Sequence, residues 1–525
     1  MRSLPLILAL MLGGTALAQS AVPERVDRWW QDVTMLSGDE MDGRAAGTAG
    51  HERAVVYVEG RLRALGLTPA GDKGSFRQEV AIEEQRIDAA MSSASLEAGG
   101  RTTALAIGSD LLLVAGGAPR AGRTAAPLVF AGYGLHLPRL GHDDFAGLDL
   151  KGKIVVTIAG GPATLPGAAK AANRLERVRL LGERGALGLI TLTPPKQVEI
   201  PWARQKLGTG SPGRYLADKR LRTMPDNFFG ASFDPSRSEL LFEGSGYSFA
   251  ELAALSDASR PIPRFALSAR LSATLATSRR RITSPNVIGR IDGSDARRKA
   301  EHVVLTAHLD HLGMGAPING DRIYNGTLDN AAGVATLLDV AARLKAGVAP
   351  RRSVLIVLVT GEEGGLLGSG AFASAPTVAK RSVVANLNFD MALPLFPLRS
   401  IIALGAEESS LGTVARQVGE RMGLPLVPDP FPDRNSFIRS DQYSFVRNGV
   451  PALAFKFGFA KDTLEAKIET GWRATRYHAP SDDLDQPGIQ KEDAIRLDDY
   501  VTALTREIAN AHDRPRWLPG SVFGR

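Results

Sequence analysis

Five side chains of types that bind metal ions follow one another in the second half of the chain: His308, Asp329, Glu363, Asp390 and His478. Zinc accepts imidazole and carboxylate ligands, and catalytic zinc sites leave one position open for water. The set predicts two Zn²⁺ per chain, with Asp329 as the bridging carboxylate, His308 and Asp390 on one ion, and Glu363 and His478 on the other. Three carboxylates and one hydroxide would balance the four positive charges, which limits the cost of burial. Co²⁺ or Mn²⁺ could replace zinc in such a site.

Two further carboxylates stand beside these candidate ligands. Glu362 directly precedes Glu363 and is free to act as a general base toward a water shared by the two ions. Asp310 lies two residues after His308, where it could accept a hydrogen bond from the second ring nitrogen and fix the imidazole tautomer. Together with the metal ligands, Glu362 and Asp310 predict hydrolytic chemistry.

Short apolar runs precede three of the candidate residues. Residues 303–306, 354–359 and 383–389 are near-continuous and apolar, which is typical of parallel strands that are buried on both faces. A helical pattern spans 331–344 between them, and such alternation predicts an α/β fold with an open sheet. Because ligands gather at the carboxyl ends of the strands in such sheets, we expect the candidate residues to meet at one edge.

Five short motifs carry a resemblance to a known family. They occupy residues 307–311, 328–333, 361–364, 388–391 and 477–483, and their sequences are AHLDH, LDNAAG, GEEG, NFDM and YHAPSDD. In this order they resemble the motifs of co-catalytic di-zinc exopeptidases, a family that includes bacterial secreted aminopeptidases, glutamate carboxypeptidase and the transferrin receptor. The resemblance implies a mixed, largely parallel central sheet flanked by helices, the metal assignment given above, Glu362 as the base, and a cis peptide bond between Asp329 and Asn330.

The resemblance also implies an activity and a substrate side. The most favoured activity is that of an aminopeptidase acting on peptides, and a carboxypeptidase or dipeptidase on the same fold is the alternative. A non-catalytic, receptor-like relative is disfavoured because every ligand and the base are retained, and a single-zinc cyclase would need only part of the set. Ser440, Asp441 and Tyr443 resemble a stretch that lines the substrate side, although Gln442 stands where many relatives have histidine. A guanidinium cluster facing the metals would favour a substrate carboxylate, and acidic groups would favour a free amine.

The remaining histidines fall outside the ligand pattern. His311 is predicted to be a bystander despite its position three residues after His308. The other five are predicted to be surface or structural residues: His51, His136, His142, His302 and His512.

The chain divides by composition into five stretches. Residues 1–18 resemble a secretory signal peptide, with Arg2, an apolar run and a small-residue site that predicts cleavage after Ala18. Residues 19–120 are predicted to be the first part of the peptidase domain, and 121–275 to be an inserted β-rich, protease-associated domain. Residues 276–512 would then be the second part with the metal site, and 513–525 a C-terminal tail. The leader predicts a periplasmic or secreted protein.

The composition of the 525 residues is that of a globular protein, with 44% apolar and 23% charged residues. The absence of cysteine excludes disulfides and thiolate zinc ligands. The net charge of +7 comes without a long basic run, so nucleic-acid binding is not indicated. The apolar run of the leader is too short for a membrane span, so stable membrane insertion after cleavage is not expected either. A peptide substrate is the expected partner, and the oligomeric state is left open.

Overall fold

A computed structural model describes residues 9–114, 121–198, 200–222, 224–225 and 227–524. The strands in these ranges are β1 Thr68–Pro69, β2 Arg77–Ala98, β3 Arg101–Leu105, β4 Leu111–Leu113, β5 Gly122–Phe130, β6 His136–Leu137, β7 His142–Asp143, β8 Ile154–Ile158, β9 Gly188–Leu192, β10 Gly213–Leu216, β11 Phe229–Phe233, β12 Phe265–Ile291, β13 His302–His308, β14 Gly313–Ile318, β15 Asp321–Tyr324, β16 Ser353–Val359, β17 Val383–Asn388, β18 Ile401–Leu404, β19 Leu426–Val427 and β20 Ala452–Phe457.

The helices alternate with the strands along much of the chain. They are α1 Ala9–Ser37, α2 Ala49–Ala64, α3 Gly167–Glu183, α4 Trp202–Gln205, α5 Phe249–Asp257, α6 Ala332–Ala346, α7 Leu367–Ser374, α8 Leu411–Arg421, α9 Gln442–Arg447, α10 Leu464–Thr475 and α11 Lys491–Asn510. None of the described helices is long and apolar enough to cross a membrane.

One half of the main sheet carries the candidate residues. Its strand order is β19-β18-β20-β17-β13-β16-β12, and β16, β13, β17 and β20 pair in parallel, whereas β18 and β12 run antiparallel to their inner neighbours. On β16, Ile356 packs into the same core as α1, α6 and α11, whereas Val357 packs into the core on the opposite face with Phe372 of α7 and Phe445 of α9. Burial on both faces explains the apolar runs. The predicted mixed, largely parallel sheet flanked by helices is confirmed.

Two long strands extend this sheet into residues 121–275. β12 and β2 pair over most of their length, and the sheet continues as β5-β8-β9-β11-β4 around a separate apolar core. Exposed residues interrupt the apolar pattern of β2 between 86 and 93 and that of β12 between 277 and 283. Helix α3 begins at Gly167, directly after Pro166. The assignment of 121–275 as a protease-associated domain stays a prediction.

The described residues near the two ends of the chain form a helix at the start and a packed tail at the end. Residues 1–8 of the predicted leader lie outside the described residues, and residues 9–18 belong to α1. The tail packs against the body of the protein, because Phe523 is buried and the Trp517 indole nitrogen donates to the Gly449 carbonyl at 3.1 Å.

Candidate metal centre

Three strand ends and two loops deliver the candidate ligands to one place. His308 is the last residue of β13, Glu363 follows β16 by four residues, and Asp390 follows β17 by two. Asp329 lies in a short helical turn, Thr327–Ala331, directly before α6, and His478 follows α10. The predicted cis bond between Asp329 and Asn330 is confirmed.

The two imidazoles approach different oxygens of one carboxylate. His308 Nε2 lies 3.2 Å from Asp329 Oδ1, and His478 Nε2 lies 3.3 Å from Asp329 Oδ2. On the first side Asp390 Oδ1 lies 3.4 Å from His308 Nε2, and on the second Glu363 Oε2 lies 3.1 Å from His478 Nε2. Asp329 therefore stands between two groups of nitrogen and oxygen atoms, as a bridging ligand must.

These separations fit ions of the expected kind. Two ligand atoms that each lie about 2.1 Å from a tetrahedral zinc are about 3.4 Å from one another, and the four separations run from 3.1 to 3.4 Å. In addition, Glu363 Oε1 is buried without a hydrogen-bond partner among the described residues. Two groups of side chains can each hold a metal ion: His308, Asp329 and Asp390, and His311, Asp329 and Glu363.

His311 belongs to the centre, so its prediction as a bystander was wrong. Its Nδ1 lies 2.7 Å from Glu363 Oε1, a distance typical of an ion pair, although both atoms lack hydrogen-bond geometry. The His311 ring also meets the His478 ring edge to face, with centroids 5.9 Å apart. The second group of candidate ligands therefore contains one more imidazole than the sequence indicated.

Asp310 has a different contact from the predicted one. His308 Nδ1 donates to the backbone carbonyl of Asp310 at 3.0 Å, so a peptide oxygen and not a carboxylate fixes the tautomer. The Asp310 carboxylate instead accepts the backbone N–H of Glu362 at 3.1 Å. Burial raises the pKa of Asp310. Its position supports the loop that carries Glu362 and Glu363.

The electrostatics of the centre are dominated by carboxylates. Burial opposes a charge on His308, but Glu362, Asp329 and Asp390 raise its pKa well above the ordinary value. Burial likewise opposes a charge on His478, but Glu363 and Asp329 raise its pKa to about 10. Burial also raises the pKa of Glu362. The site therefore attracts positive charge strongly, which is the condition for holding divalent cations.

The three residues predicted to lie on the substrate side occupy different environments. Ser440 lines a small cavity together with Asp329 and Glu362. Asp441 is fully buried, and burial raises its pKa to about 7. Tyr443 packs into an apolar cluster, with its ring centroid 6.4 Å from that of Phe523, so its predicted position beside the substrate is wrong.

Gln442 is a structural residue whose side chain both accepts and donates hydrogen bonds. The Asn388 amide nitrogen donates to Gln442 Oε1 at 2.8 Å and to Ser440 Oγ at 2.9 Å. The Gln442 amide nitrogen in turn donates to the Phe437 carbonyl at 2.9 Å. These bonds join the end of β17 to the loop that carries Ser440.

Two buried charged residues that the sequence did not single out hold the ligand loops. Arg44 donates to the carbonyl oxygens of Leu309 and Gly326 at 3.0 Å and of Asn325 at 2.6 Å, and burial lowers its pKa to about 10. Asp482 accepts the backbone N–H groups of Leu328 and Asp329 at 3.0 Å. Asp482 stood in a quoted motif without a role, and no sequence signal marked Arg44.

Two cavities of different character meet at the centre. The larger, of about 400 Å³, is called the apolar cavity here; Glu363 and His478 lie at one end, and its other lining residues include Ile87, Ile107, Leu112, Leu113, Ile200, Leu207 and Leu312. The smaller, of about 60 Å³, is called the basic cavity; its cationic residues are Arg434, Arg439, Lys456 and Arg473. Tyr477 lines the basic cavity and stacks on the His478 ring, with centroids 3.9 Å apart.

The sequence was compared with models of known protein families. Residues 286–505 match the model described as Peptidase family M28. This part of the chain is an M28 peptidase domain. A search of curated proteins gave no match.

Several solved structures are similar to the chain that contains this M28 domain. An aminopeptidase from Aneurinibacillus sp. strain AM-1 has 18% identity and a TM-score of 0.53, with 94% of this chain and 97% of that chain covered. BSAP, a zinc aminopeptidase from Bacillus subtilis, has 20% identity and a TM-score of 0.47 over 93% and 96% of the two chains. A Peptidase M28 precursor from Shewanella amazonensis SB2B has 18% identity and a TM-score of 0.49 over 96% and 99%. The Aneurinibacillus structure, whose TM-score exceeds 0.5, shares the fold of this chain.

Proposed function

We propose that the protein is a secreted or periplasmic, zinc-dependent exopeptidase, and specifically an aminopeptidase that hydrolyses N-terminal residues from peptides. One observation carries the proposal: within an M28 domain, two imidazoles approach opposite oxygens of Asp329, and Glu362 lines the same cavity. Secretion rests on the leader pattern of residues 1–18.

The residues of the site have two roles in this reaction: some hold the ions, and Glu362 transfers protons. Two bound zinc ions would polarise the peptide carbonyl and lower the pKa of the attacking water. Glu362 accepts a proton from that water and delivers it to the leaving nitrogen. His308, Asp329, Glu363, Asp390 and His478 would hold the ions, and His311 is a further candidate ligand beside Glu363.

A carboxypeptidase or dipeptidase is the second candidate, and one observation favours it. Four cationic side chains line the basic cavity together with carboxylates of the centre. A cationic pocket beside the reacting bond favours a substrate with a free carboxylate.

The deciding experiment compares free and blocked peptides. Zinc-loaded protein is assayed on peptides with a free amine, with an acetylated N-terminus and with an amidated C-terminus. We expect acetylation to abolish cleavage and amidation to leave it intact, and the reverse pattern would select a carboxypeptidase.

The role of Glu362 is tested by substitution with a matched control. Glu362→Ala should abolish turnover while the zinc content stays near two ions per chain, as measured by atomic absorption. Glu407→Ala, at an exposed glutamate, should keep activity. Normal peptide hydrolysis by Glu362→Ala would remove that residue from the role of base.

A further inference from the structure

Residues 200–214, called the bridging segment here, form part of the wall of the apolar cavity. The segment contains helix α4, a helical turn over Lys206–Gly210 and the first residues of β10. Glu363 and His478 line the same cavity. A stretch that lies outside the metal-ligand pattern therefore shares a cavity with two candidate ligands.

Arg204 joins the bridging segment to the end of α10. Its guanidinium group donates from Nη1 to the carbonyl of Ala474 and from Nη2 to that of Arg473, each at 2.7 Å. Both carbonyl groups belong to the last turn of the helix, where such groups lack helical partners and the helix dipole favours a cation. His478 follows Ala474 by four residues, with a φ of +55°. Arg204 is therefore bonded to the helix end from which the chain reaches a candidate metal ligand.

A second attachment of the bridging segment is to the loop before β4. The Trp202 indole nitrogen donates to the Ser109 carbonyl at 2.9 Å, and the Thr209 hydroxyl donates to the Gly108 carbonyl at 3.2 Å. Strand β4 belongs to the part of the sheet that extends beyond β12. The segment is thus held between that part of the sheet and the M28 domain, to which Arg204 binds it.

The far end of the bridging segment contacts the turn that carries Glu363. Arg214 Nε donates to Glu84 Oε1 at 2.9 Å on the neighbouring strand β2. A Cβ added to Gly364, the residue after Glu363, would lie 3.1 Å from Arg214 Cβ. Because Arg204 and Arg214, which both line the apolar cavity, bond to groups of the protein, we expect the apolar lining residues to determine which side chain binds there.

The volume of the apolar cavity is sufficient for part of a peptide. Pockets that bind small molecules have volumes of about 300–1,000 Å³ and are lined mainly by apolar side chains. The apolar cavity has about 400 Å³ and reaches the metal centre at Glu363 and His478. A large apolar side chain attached close to the reacting bond can therefore be accommodated.

We propose that the bridging segment is the specificity-determining wall of the substrate site, and that Arg204 is the positioning residue that holds this wall beside the metal centre. The preferred substrates are then peptides with a large apolar side chain next to the scissile bond. This inference rests on the proposed function, since it places the side chain relative to a bond cleaved at the metal centre.

Three matched substrates test the preference on each side of the bond. Zinc-loaded enzyme is assayed on leucyl-alanine amide and alanyl-leucine amide, each against alanyl-alanine amide. We expect one leucine-containing substrate to have a kcat/KM about tenfold higher, as is usual for a few methylene groups in an apolar pocket. Ratios within threefold of one for both substrates would overturn the proposal.

Substitutions of Arg204 then test its positioning role. Arg204→Ala should lower the leucine preference about fivefold or more, chiefly by raising KM, with the zinc content of the wild type. Arg204→Lys keeps a cation for the helix end and should recover part of the preference. Arg220→Ala, at an exposed arginine beyond the segment, should leave it unchanged. An undiminished preference in Arg204→Ala would overturn the proposal.

Hydrogen exchange measures the contact itself. Amide exchange in residues 200–214 and 473–478 should be about tenfold faster in Arg204→Ala than in the wild type, because each hydrogen bond to a charged group is worth about ten- to a hundredfold in a local equilibrium. Unchanged exchange in both stretches would show that Arg204 does not hold the segment, and would overturn the proposal.

A binding measurement keeps the inference separate from the proposed function. Zinc-loaded Glu362→Gln is titrated with the same three peptides in a calorimeter. Tighter binding of a leucine-containing peptide than of alanyl-alanine amide, lost in the double variant with Arg204→Ala, supports the proposed wall even if no peptide is hydrolysed. Equal binding of the three peptides overturns it, even if peptides are cleaved and the exopeptidase function stands.

Discussion

Asp482 offers the sharpest test of how the metal loop is held. Its Oδ1 accepts the backbone N–H of Leu328 at 3.0 Å and the side-chain amide of Gln486 at 2.9 Å. Its Oδ2 accepts the backbone N–H of Asp329, again at 3.0 Å. The Asp482 side chain is fully buried, so water does not readily take over these contacts. Removal of the carboxylate should therefore leave two buried N–H groups unpaired beside the bridging ligand.

The magnitude follows from those two groups. Each unpaired buried donor costs about 1–3 kcal/mol, so Asp482→Ala should lower the free energy of unfolding by about 2–6 kcal/mol. A residue that orients a metal ligand typically contributes about ten- to a hundredfold in metal affinity. Asp482→Asn retains one acceptor oxygen and should lose about half as much stability.

The assay combines unfolding with metal competition. Urea denaturation is measured for wild type, Asp482→Ala, Asp482→Asn and the neighbour control Asp483→Asn, and zinc affinity is measured against a chromophoric chelator. The Asp483 carboxylate accepts the Asp485 backbone N–H at 2.8 Å in a more exposed setting, and its substitution should change stability by less than about 0.5 kcal/mol. Wild-type stability and zinc affinity in Asp482→Ala would refute the reasoning.

Three further expectations concern the supporting residues and the ions. Arg44→Lys keeps the charge, but the lysine cannot reach all the carbonyl oxygens that the guanidinium binds. The free energy of unfolding, measured by urea titration, should therefore fall by about 2–4 kcal/mol. An unchanged urea midpoint would contradict this expectation. Burial lowers the pKa of His302 to about 4, so only the unfolded state takes up its proton between pH 6.5 and 4. The free energy of unfolding should therefore fall by about 1.4 kcal/mol per pH unit from this residue as the pH falls through that window. His302→Gln should lack this contribution, and equal pH slopes in the wild type and the variant would contradict the expectation. Removal of metal by a chelator should abolish peptide hydrolysis but leave the helical signal in circular dichroism unchanged. The reason is that the strands and helices that carry the ligands pack around their own apolar cores. Loss of the helical signal would show that the fold depends on the ions.

The sequence predicted the part of the site that depends on strand ends. His308, Glu363 and Asp390 were placed correctly because a parallel strand buried on both faces leaves an apolar run whose end can be seen in the sequence. At that end the chain meets the edge of the sheet where ligands gather. Once the strand order is that of an open α/β sheet, the proximity of these three residues follows from topology alone.

The residues that the sequence missed depend on loop conformation and long-range contacts. His311 lies beyond the end of β13, where no periodicity fixes the direction of a side chain, and its proximity to Glu363 depends on the path of that loop. Arg44 reaches carbonyl oxygens more than 260 positions away. Tyr443 was assigned to the substrate side from its neighbours in the sequence, but on helix α9 its side chain is buried in an apolar cluster.

The charged side chains that hold the ligand loops bind backbone groups of complementary polarity. A cation, Arg44, binds the carbonyl oxygens of residues 309, 325 and 326, and an anion, Asp482, binds the N–H groups of 328 and 329. The neutral amide of Asn330 ties the same loop to the Phe389 carbonyl at 2.8 Å, next to Asp390. Because these bonds use side chains that bind no metal in the proposed scheme, the loops of Asp329 and Asp390 can be positioned before an ion arrives. Preorganisation of this kind reduces the conformational entropy lost on metal binding, and it leaves the ligand side chains free for the ions.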